Sequence, residues 1–181
     1  MKKTNLYTTA LVALLLIWGC DKGPELTPLT QEGKNTFSCK VNGKVWIPDG
    51  RGSIFVNIPP IDGGFFRGDQ YSISKIWIST YSSDNQEVHL FLETIDVGPK
   101  NLDRKTHPYG ASFQPSNYGL YRNSQQKEFI TSNINTGTIT LIKADTLTGI
   151  ISGTFEFTAA NSSGNVTKIT DGRFDINSKT L

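Results

Sequence analysis

Hydrophobic and polar residues alternate in several segments of the chain with the two-residue period of half-buried β-strands. The segments 37–41 and 44–47 show this alternation on both sides of Asn42-Gly43. An Asn-Gly pair between two such segments predicts a two-residue hairpin, in which Cys39 faces Trp46 across the strands. The ordered domain is therefore expected to begin just before this hairpin, at residue 35.

Further segments with the composition of β-strands, each bounded by Gly, Pro, Asp or Asn, predict the remaining strands of the domain. They cover residues 53–58, 71–80, 86–95, 137–144, 149–158 and 166–176. In the segment 71–80 apolar residues occupy both parities, which predicts a central strand covered on both faces. The pair Asp171-Gly172 predicts a β-bulge. We expect one all-β domain, an antiparallel β-sandwich of about seven to nine strands, with a small closed β-barrel as the alternative.

The first twenty residues predict export and lipid attachment. Lys2 and Lys3 precede the apolar run Ala10–Trp18, which is too short to span a bilayer and fits a secretory signal peptide. Gly19 stands directly before Cys20, as in a bacterial lipobox. We predict a leader at residues 1–19, lipidation at Cys20 followed by a flexible tether to residue 34, and the domain at 35–181.

Composition and charge narrow the classes of function. The chain carries 18 Lys and Arg against 16 Asp and Glu, and removal of the leader takes away two lysines, which leaves no net charge and no basic cluster. Nucleic acid is therefore not expected as a partner. His89 and His107 have no second His or Cys at ligand spacing, and Cys39 is interpreted as a buried hydrophobe, so no metal or cofactor is expected. No catalytic residue is nominated, and we expect no enzyme activity.

A long segment rich in Gly, Pro, Asn and Ser, residues 96–128, is the main candidate for binding. A second candidate is the glycine-flanked tip at residues 62–68. The aromatic side chains of these two segments are the candidate binding residues, namely Tyr109, Phe113, Tyr118, Tyr121, Phe65 and Phe66. They suit carbohydrate or protein partners, but they equally suit a packing role in which they hold the segments against the sheets.

Three segments resemble a family of small, uncharacterised lipoproteins from Bacteroidetes-type bacteria. They are Gly33–Trp46, Ile151–Phe157 and Ile169–Asp175. The resemblance implies an outer-membrane location, on either the periplasmic or the outer side, and a broad fold. It implies no catalytic residue.

These observations favour a non-catalytic binding or accessory module, anchored in the membrane through Cys20 and contacting a glycan or an envelope protein. One alternative is a structural envelope component that acts through protein–protein contacts. A hydrolase acting on glycan or peptide is a further alternative, although the sequence offers no G-x-S-x-G motif for it.

Overall fold

The computed structural model describes residues 23–52, 56–67, 73–105 and 115–181, and these ranges contain thirteen β-strands and no helix. No segment in them forms a helix with the length and hydrophobicity that crossing a membrane requires. The strands are β1 (Thr36–Val41), β2 (Lys44–Trp46), β3 (Arg51–Gly52), β4 (Asn57–Ile58), β5 (Ile61–Arg67), β6 (Ile73–Tyr81), β7 (Glu87–Leu92), β8 (Gly98–Leu102), β9 (Tyr118–Arg122), β10 (Glu128–Ile130), β11 (Gly137–Asp145), β12 (Ile150–Ala160) and β13 (Val166–Asn177).

Eleven of the strands form one antiparallel sheet, whose main path runs β2-β1-β13-β12-β10-β9-β7-β6-β5. β11 pairs with β12 and then with β8, while β3 and β4 form a separate hairpin. The two end strands of this path, β2 and β5, are not hydrogen-bonded to each other in the part of the chain that the structure describes, so the sheet does not close into a barrel. The predicted all-β antiparallel fold is confirmed. The closed-barrel alternative is wrong, and the strand number exceeds nine because several strands have only two or three residues.

The main core lies between the two parts of this folded sheet, which gives a sandwich-like arrangement. Side chains from β1, β12 and β13 meet those from β6 and β7 in a single cluster. The Phe155 ring lies 5.1 Å from that of Phe37 and 6.2 Å from that of Phe174. These aromatic contacts join the first and last strands of the domain and thereby stabilise the whole sheet.

The first hairpin and the bulge have the predicted geometry. Cys39 pairs with Trp46, and Asn42 and Gly43 have φ angles of 49° and 83°. Such left-handed values are what a tight hairpin turn needs, and Asn and Gly reach them at low cost. Asp171 has a φ of 53°, and the register between β1 and β13 shifts beside it. Local sequence chemistry therefore determines both features.

Two segments expected to be irregular form strands instead. β5 covers residues 62–67 of the predicted tip, and β8 and β9 lie inside the predicted long loop at 96–128. Four of the five residues of β9 are buried, so its sequence lacks the polar alternation that reveals a strand. The predicted central position of residues 71–80 is confirmed, since β6 lies between β5 and β7.

The described part of the predicted tether, residues 23–34, contains no strand but is attached to the sheet. We name residues 27–34 the N-terminal strap. The Thr27 backbone N–H donates to Ser38 Oγ at 3.0 Å, and that of Gly33 donates to Asp175 Oδ1 at 2.7 Å. The domain boundaries themselves stay predictions, but contact with the sheet begins before residue 35.

Candidate functional site

Three of the predicted site residues, Cys20, Tyr109 and Phe113, lie outside the described residues. The other four are divided between the two faces of the sheet, because neighbouring residues of a strand point in opposite directions. Phe65 packs against the main core, and Tyr121 is buried in it. The Tyr121 hydroxyl donates to Gln86 Oε1 at 2.5 Å. These two side chains therefore belong to the inner face.

Phe66 and Tyr118 lie on the opposite, outer face, where the structure brings them together through Phe91. The ring centroids of Phe66 and Phe91 are 5.7 Å apart, and Phe91 stacks on Tyr118 at the same distance with an angle of 8° between the planes. We name this group the outer aromatic cluster. Its members are Phe66, Trp77, Phe91, Tyr118, Leu120 and Ile130.

A group of charged side chains follows the outer aromatic cluster on the same face. It lies where β6 ends at Tyr81 and β7 begins at Glu87. The register pairs Tyr81 with Glu87, Glu87 with Arg122, and Arg122 with Glu128, so these positions form one row across four strands. We name the ionic group the Glu87 cluster. It consists of Arg51, Glu87, His89, Arg122 and Glu128.

The Glu87 carboxylate is the centre of this cluster. Arg51 Nη2 donates to its Oε1 at 2.8 Å, while Arg122 Nη1 and His89 Nε2 lie 2.5 and 3.0 Å from its Oε2. Arg122 Nη2 also reaches Glu128 Oε2 at 3.0 Å. Both oxygens of one carboxylate are thus bound by cationic or polar donors, which fixes the position of every side chain around it.

The carboxylate at the centre of the Glu87 cluster is buried, whereas the two arginines that bind it are partly exposed. The Glu87 side chain is only 5% exposed, whereas those of Arg51 and Arg122 keep 24% and 28% of their surface in solvent. Burial by itself would raise the pKa of Glu87, but hydrogen bonds from His89 and Arg51 and the charge of Arg122 outweigh it and lower the pKa to about 2. Glu87 is therefore ionised at neutral pH.

His89 extends the network to β6. Ser79 pairs with His89 across the strands, and its Oγ lies 2.8 Å from His89 Nδ1. The order serine, histidine, carboxylate is also that of a hydrolytic triad. Ser79 is only 7% exposed, however, and Glu87 is already bound by two arginines. This arrangement fits a hydrogen-bond network that orients the imidazole better than it fits a nucleophile open to substrate.

Tyr81 and Arg51 form the rim of the cluster. The Arg51 guanidinium lies 5.7 Å from the centre of the Tyr81 ring, and the Tyr81 ring contacts His89 edge-on at 5.9 Å. Guanidinium, phenol, imidazole and carboxylate groups thereby meet at one edge of the outer face. They can donate to and accept from a polar ligand. Among the described residues, no group of three or more His, Cys, Asp or Glu is suited to a metal ion.

Only a weak signal in the sequence points to the Glu87 cluster. Glu87 and His89 are two residues apart on a predicted strand, which places them on one face. Arg51 and Arg122, by contrast, lie 36 and 35 residues from Glu87. These side chains come together only through the order of the strands in the sheet.

Comparison with known proteins identifies a family for this chain. Residues 60–175 match the family described as Domain of unknown function (DUF6252). No curated protein and no solved structure matches the chain. Glu87, His89, Arg122 and Glu128 fall within the matched range, whereas Arg51 precedes it.

Proposed function

Because the chain belongs to DUF6252, a family of domains of unknown function, we propose its role from its own residues. It is a non-catalytic binding module of the bacterial cell envelope, anchored in the outer membrane by lipid on Cys20, and it is one of the small lipoproteins of Bacteroidetes-type bacteria. Its binding site is the Glu87 cluster together with Tyr81, and its ligand is an envelope glycan.

The anchor part of the proposal rests on the first twenty residues. A basic start, a short apolar run and a small residue before Cys20 are the features of a lipoprotein signal peptide. One lipid chain binds a membrane only weakly, so stable anchoring requires the several chains that lipoprotein processing attaches. Changing Cys20→Ser is expected to abolish fatty-acid labelling and to release the protein from membranes. Continued labelling of this variant would contradict the anchor.

The binding part rests on one observation, the buried Glu87 carboxylate held between two partly exposed arginines. Well-packed apolar side chains often stabilise a fold as well as a buried ion pair does, so stability alone does not account for a charged cluster at this position. A carboxyl with a strongly lowered pKa and specific charged partners is also a recognised feature of functional sites. Phe91, Tyr118 and Leu120 of the neighbouring outer aromatic cluster are buried, so they support these polar groups from within the fold.

A glycan fits the chemistry of the Glu87 cluster better than a ligand with one charged group does. Arg122 is already paired with two carboxylates, Glu87 and Glu128, so the positive charge of the cluster is balanced. Sugar hydroxyls both donate and accept, and they can bond to the exposed Glu128 carboxylate and to guanidinium N–H groups together. The half-buried Tyr81 ring offers an apolar surface for a sugar ring beside these groups.

Equilibrium binding to a panel of polysaccharides and peptidoglycan fragments tests the proposal, with residues 21–181 produced without lipid. Saturable binding is expected for at least one glycan. Glu128→Gln removes the charge of this carboxylate and its ion pair with Arg122 but leaves the pair between Glu87 and Arg122 in place. It is expected to weaken binding about tenfold, the effect of one lost charged hydrogen bond. Glu156→Gln, an exposed carboxylate on β12, is the matched control.

Two outcomes would contradict the site assignment. One is a panel with no saturable binding. The other is an affinity for the glycan that Glu128→Gln and Glu156→Gln change by the same factor. Thermal unfolding of both variants, expected to stay close to that of the parent protein, separates loss of binding from loss of fold.

A further inference from the structure

The N-terminal strap is attached to β13 through Asp175, a carboxylate that is almost fully buried on the outer face. Asp175 accepts from Thr30 Oγ1 at 2.5 Å and from the backbone N–H groups of Glu32, Gly33 and Lys34 at 3.0, 2.7 and 3.3 Å. Hydrogen bonds to a charged acceptor are among the stronger ones in proteins. Residues 30–34 are therefore attached to the sheet and are not a free tether.

Four further hydrogen bonds attach Thr27 and Gln31 of the strap to the sheet. Both the backbone N–H and the hydroxyl of Thr27 bond to Ser38 Oγ, at 3.0 and 2.8 Å. Arg173 Nη1 donates to the Thr27 carbonyl at 3.2 Å, and Lys143 Nζ lies 3.4 Å from the Gln31 carbonyl. The strap thus crosses the outer faces of β1 and β13, and Thr27 bonds to the sheet at its N-terminal end.

The strap also has a definite direction along the sheet. It runs from Asp175, which pairs with Ser152 near the start of β12, to Arg173, which pairs with Thr154 further along that strand. Pro24 then lines a surface groove together with Ile47, Asp49 and the turn between β6 and β7. The same turn joins Tyr81 to Glu87. The described chain therefore begins at the end of the domain that carries the Glu87 cluster.

We infer that the strap holds the domain with its Glu87 end towards the membrane, so that the interaction surface around this cluster faces lipid headgroups. The inference rests on the proposed anchor at Cys20. Six residues separate Cys20 from Thr27, and they can span at most about 25 Å. A tether free up to residue 34 would allow about twice that distance and any orientation.

The orientation also restricts the source of the ligand. β12 has eleven residues and therefore extends for about 35 Å, so the two ends of the domain lie at clearly different heights above the bilayer. A glycan that reaches the Glu87 cluster must then lie close to the membrane surface, as a lipid-linked glycan does. Glycans further from the membrane would meet the opposite end.

Energy transfer from the domain to a lipid dye measures the orientation directly. Full-length lipidated protein is reconstituted in phosphatidylethanolamine and phosphatidylglycerol vesicles that carry a headgroup acceptor dye. Donor dyes are placed by Ser162→Cys, in the turn after β12 at the Glu87 end, or by Leu147→Cys, in the turn before β12 at the opposite end. Cys39 is buried and does not compete for the dye. Transfer from position 162 is expected to be several times that from position 147.

A pair of glycine variants tests whether the strap causes the orientation. Gly33 has a φ of 73°, and a Cβ there would lie 2.8 Å from Asn177 Cβ, so Gly33→Ala is expected to loosen the strap. Gly23→Ala meets nothing within 4 Å and is the matched control. Gly33→Ala should reduce the difference in transfer between the two ends, and it should speed amide hydrogen exchange at residues 32–34 about tenfold. Gly23→Ala should change neither.

The possible outcomes separate the inference from the proposed anchor. If the parent protein does not float with the vesicles, the anchor fails and the orientation fails with it. If it floats but the two ends give equal transfer, or position 147 gives more, the anchor stands and the orientation is wrong. If the orientation is present but Gly33→Ala leaves transfer and exchange unchanged, the strap is not its cause.

Discussion

Replacing Glu87 with glutamine removes the charge at the centre of the Glu87 cluster and keeps the size of the side chain. The folded protein lowers the pKa of this carboxyl from 4.5 to about 2. A group whose pKa is lower in the folded state stabilises the fold at pH values above its unfolded pKa. That contribution is lost as the pH falls through the folded pKa.

The size of the effect follows from the same change in pKa. A lowering from 4.5 to about 2 corresponds to ~3 kcal/mol of free energy of unfolding. Arg51 and Arg122 keep about a quarter of their side-chain surface in solvent, so screening reduces this figure to roughly 2 kcal/mol. We expect Glu87→Gln to lower the free energy of unfolding by this amount at neutral pH.

Urea unfolding followed by tryptophan fluorescence checks both the size and its dependence on pH. The difference between the parent protein and Glu87→Gln should be full above about pH 5 and should shrink steadily towards about pH 2, where both carry an uncharged side chain at this position. Glu156→Gln, an exposed carboxylate on β12, should change the free energy of unfolding by less than about 0.5 kcal/mol. A difference that is absent at neutral pH, or that persists unchanged in acid, would refute the reasoning.

Three further predictions concern the core and the strap. Burial raises the pKa of the Cys39 thiol, so this thiol should not react with a disulfide reagent in the folded protein at neutral pH and should react fully in urea. Fast labelling of the folded protein would contradict this and show that the core around Cys39 opens to solvent. A Cβ at Gly172 would lie 2.5 Å from the Phe155 ring, so Gly172→Ala should cost about 1–3 kcal/mol in chemical unfolding, and an unchanged midpoint would contradict this packing. Burial would raise the pKa of Asp175, but hydrogen bonds from Thr30 and from the strap backbone outweigh it and lower the pKa, so the strap contacts should persist at neutral pH and weaken in acid. Hydrogen exchange at Gly33 measures this, and protection that does not fall in acid would contradict the role of Asp175.

Local sequence chemistry determined a large part of the fold. Asn42 and Gly43 specify their turn because both adopt left-handed φ angles easily, and the alternation in β12 identifies its buried face because successive strand residues point to opposite sides. The bulge at Asp171 follows from the same local effects. Each of these features depends on residues close together in the chain, so a single sequence contains the information.

Strand order and burial decided the rest. The sequence does not predict β9, because a strand buried on both faces has no polar alternation. The parity of β9 places Tyr118 and Tyr121 on opposite faces of the sheet, although the sequence analysis groups them as one set of binding residues. Arg51 and Arg122 meet at Glu87 only because β7 pairs with β9 and the chain before β3 returns to β6. The strap is ordered by Asp175, more than a hundred residues away. Contacts of this kind depend on how the whole sheet closes over its core, which only the tertiary structure determines.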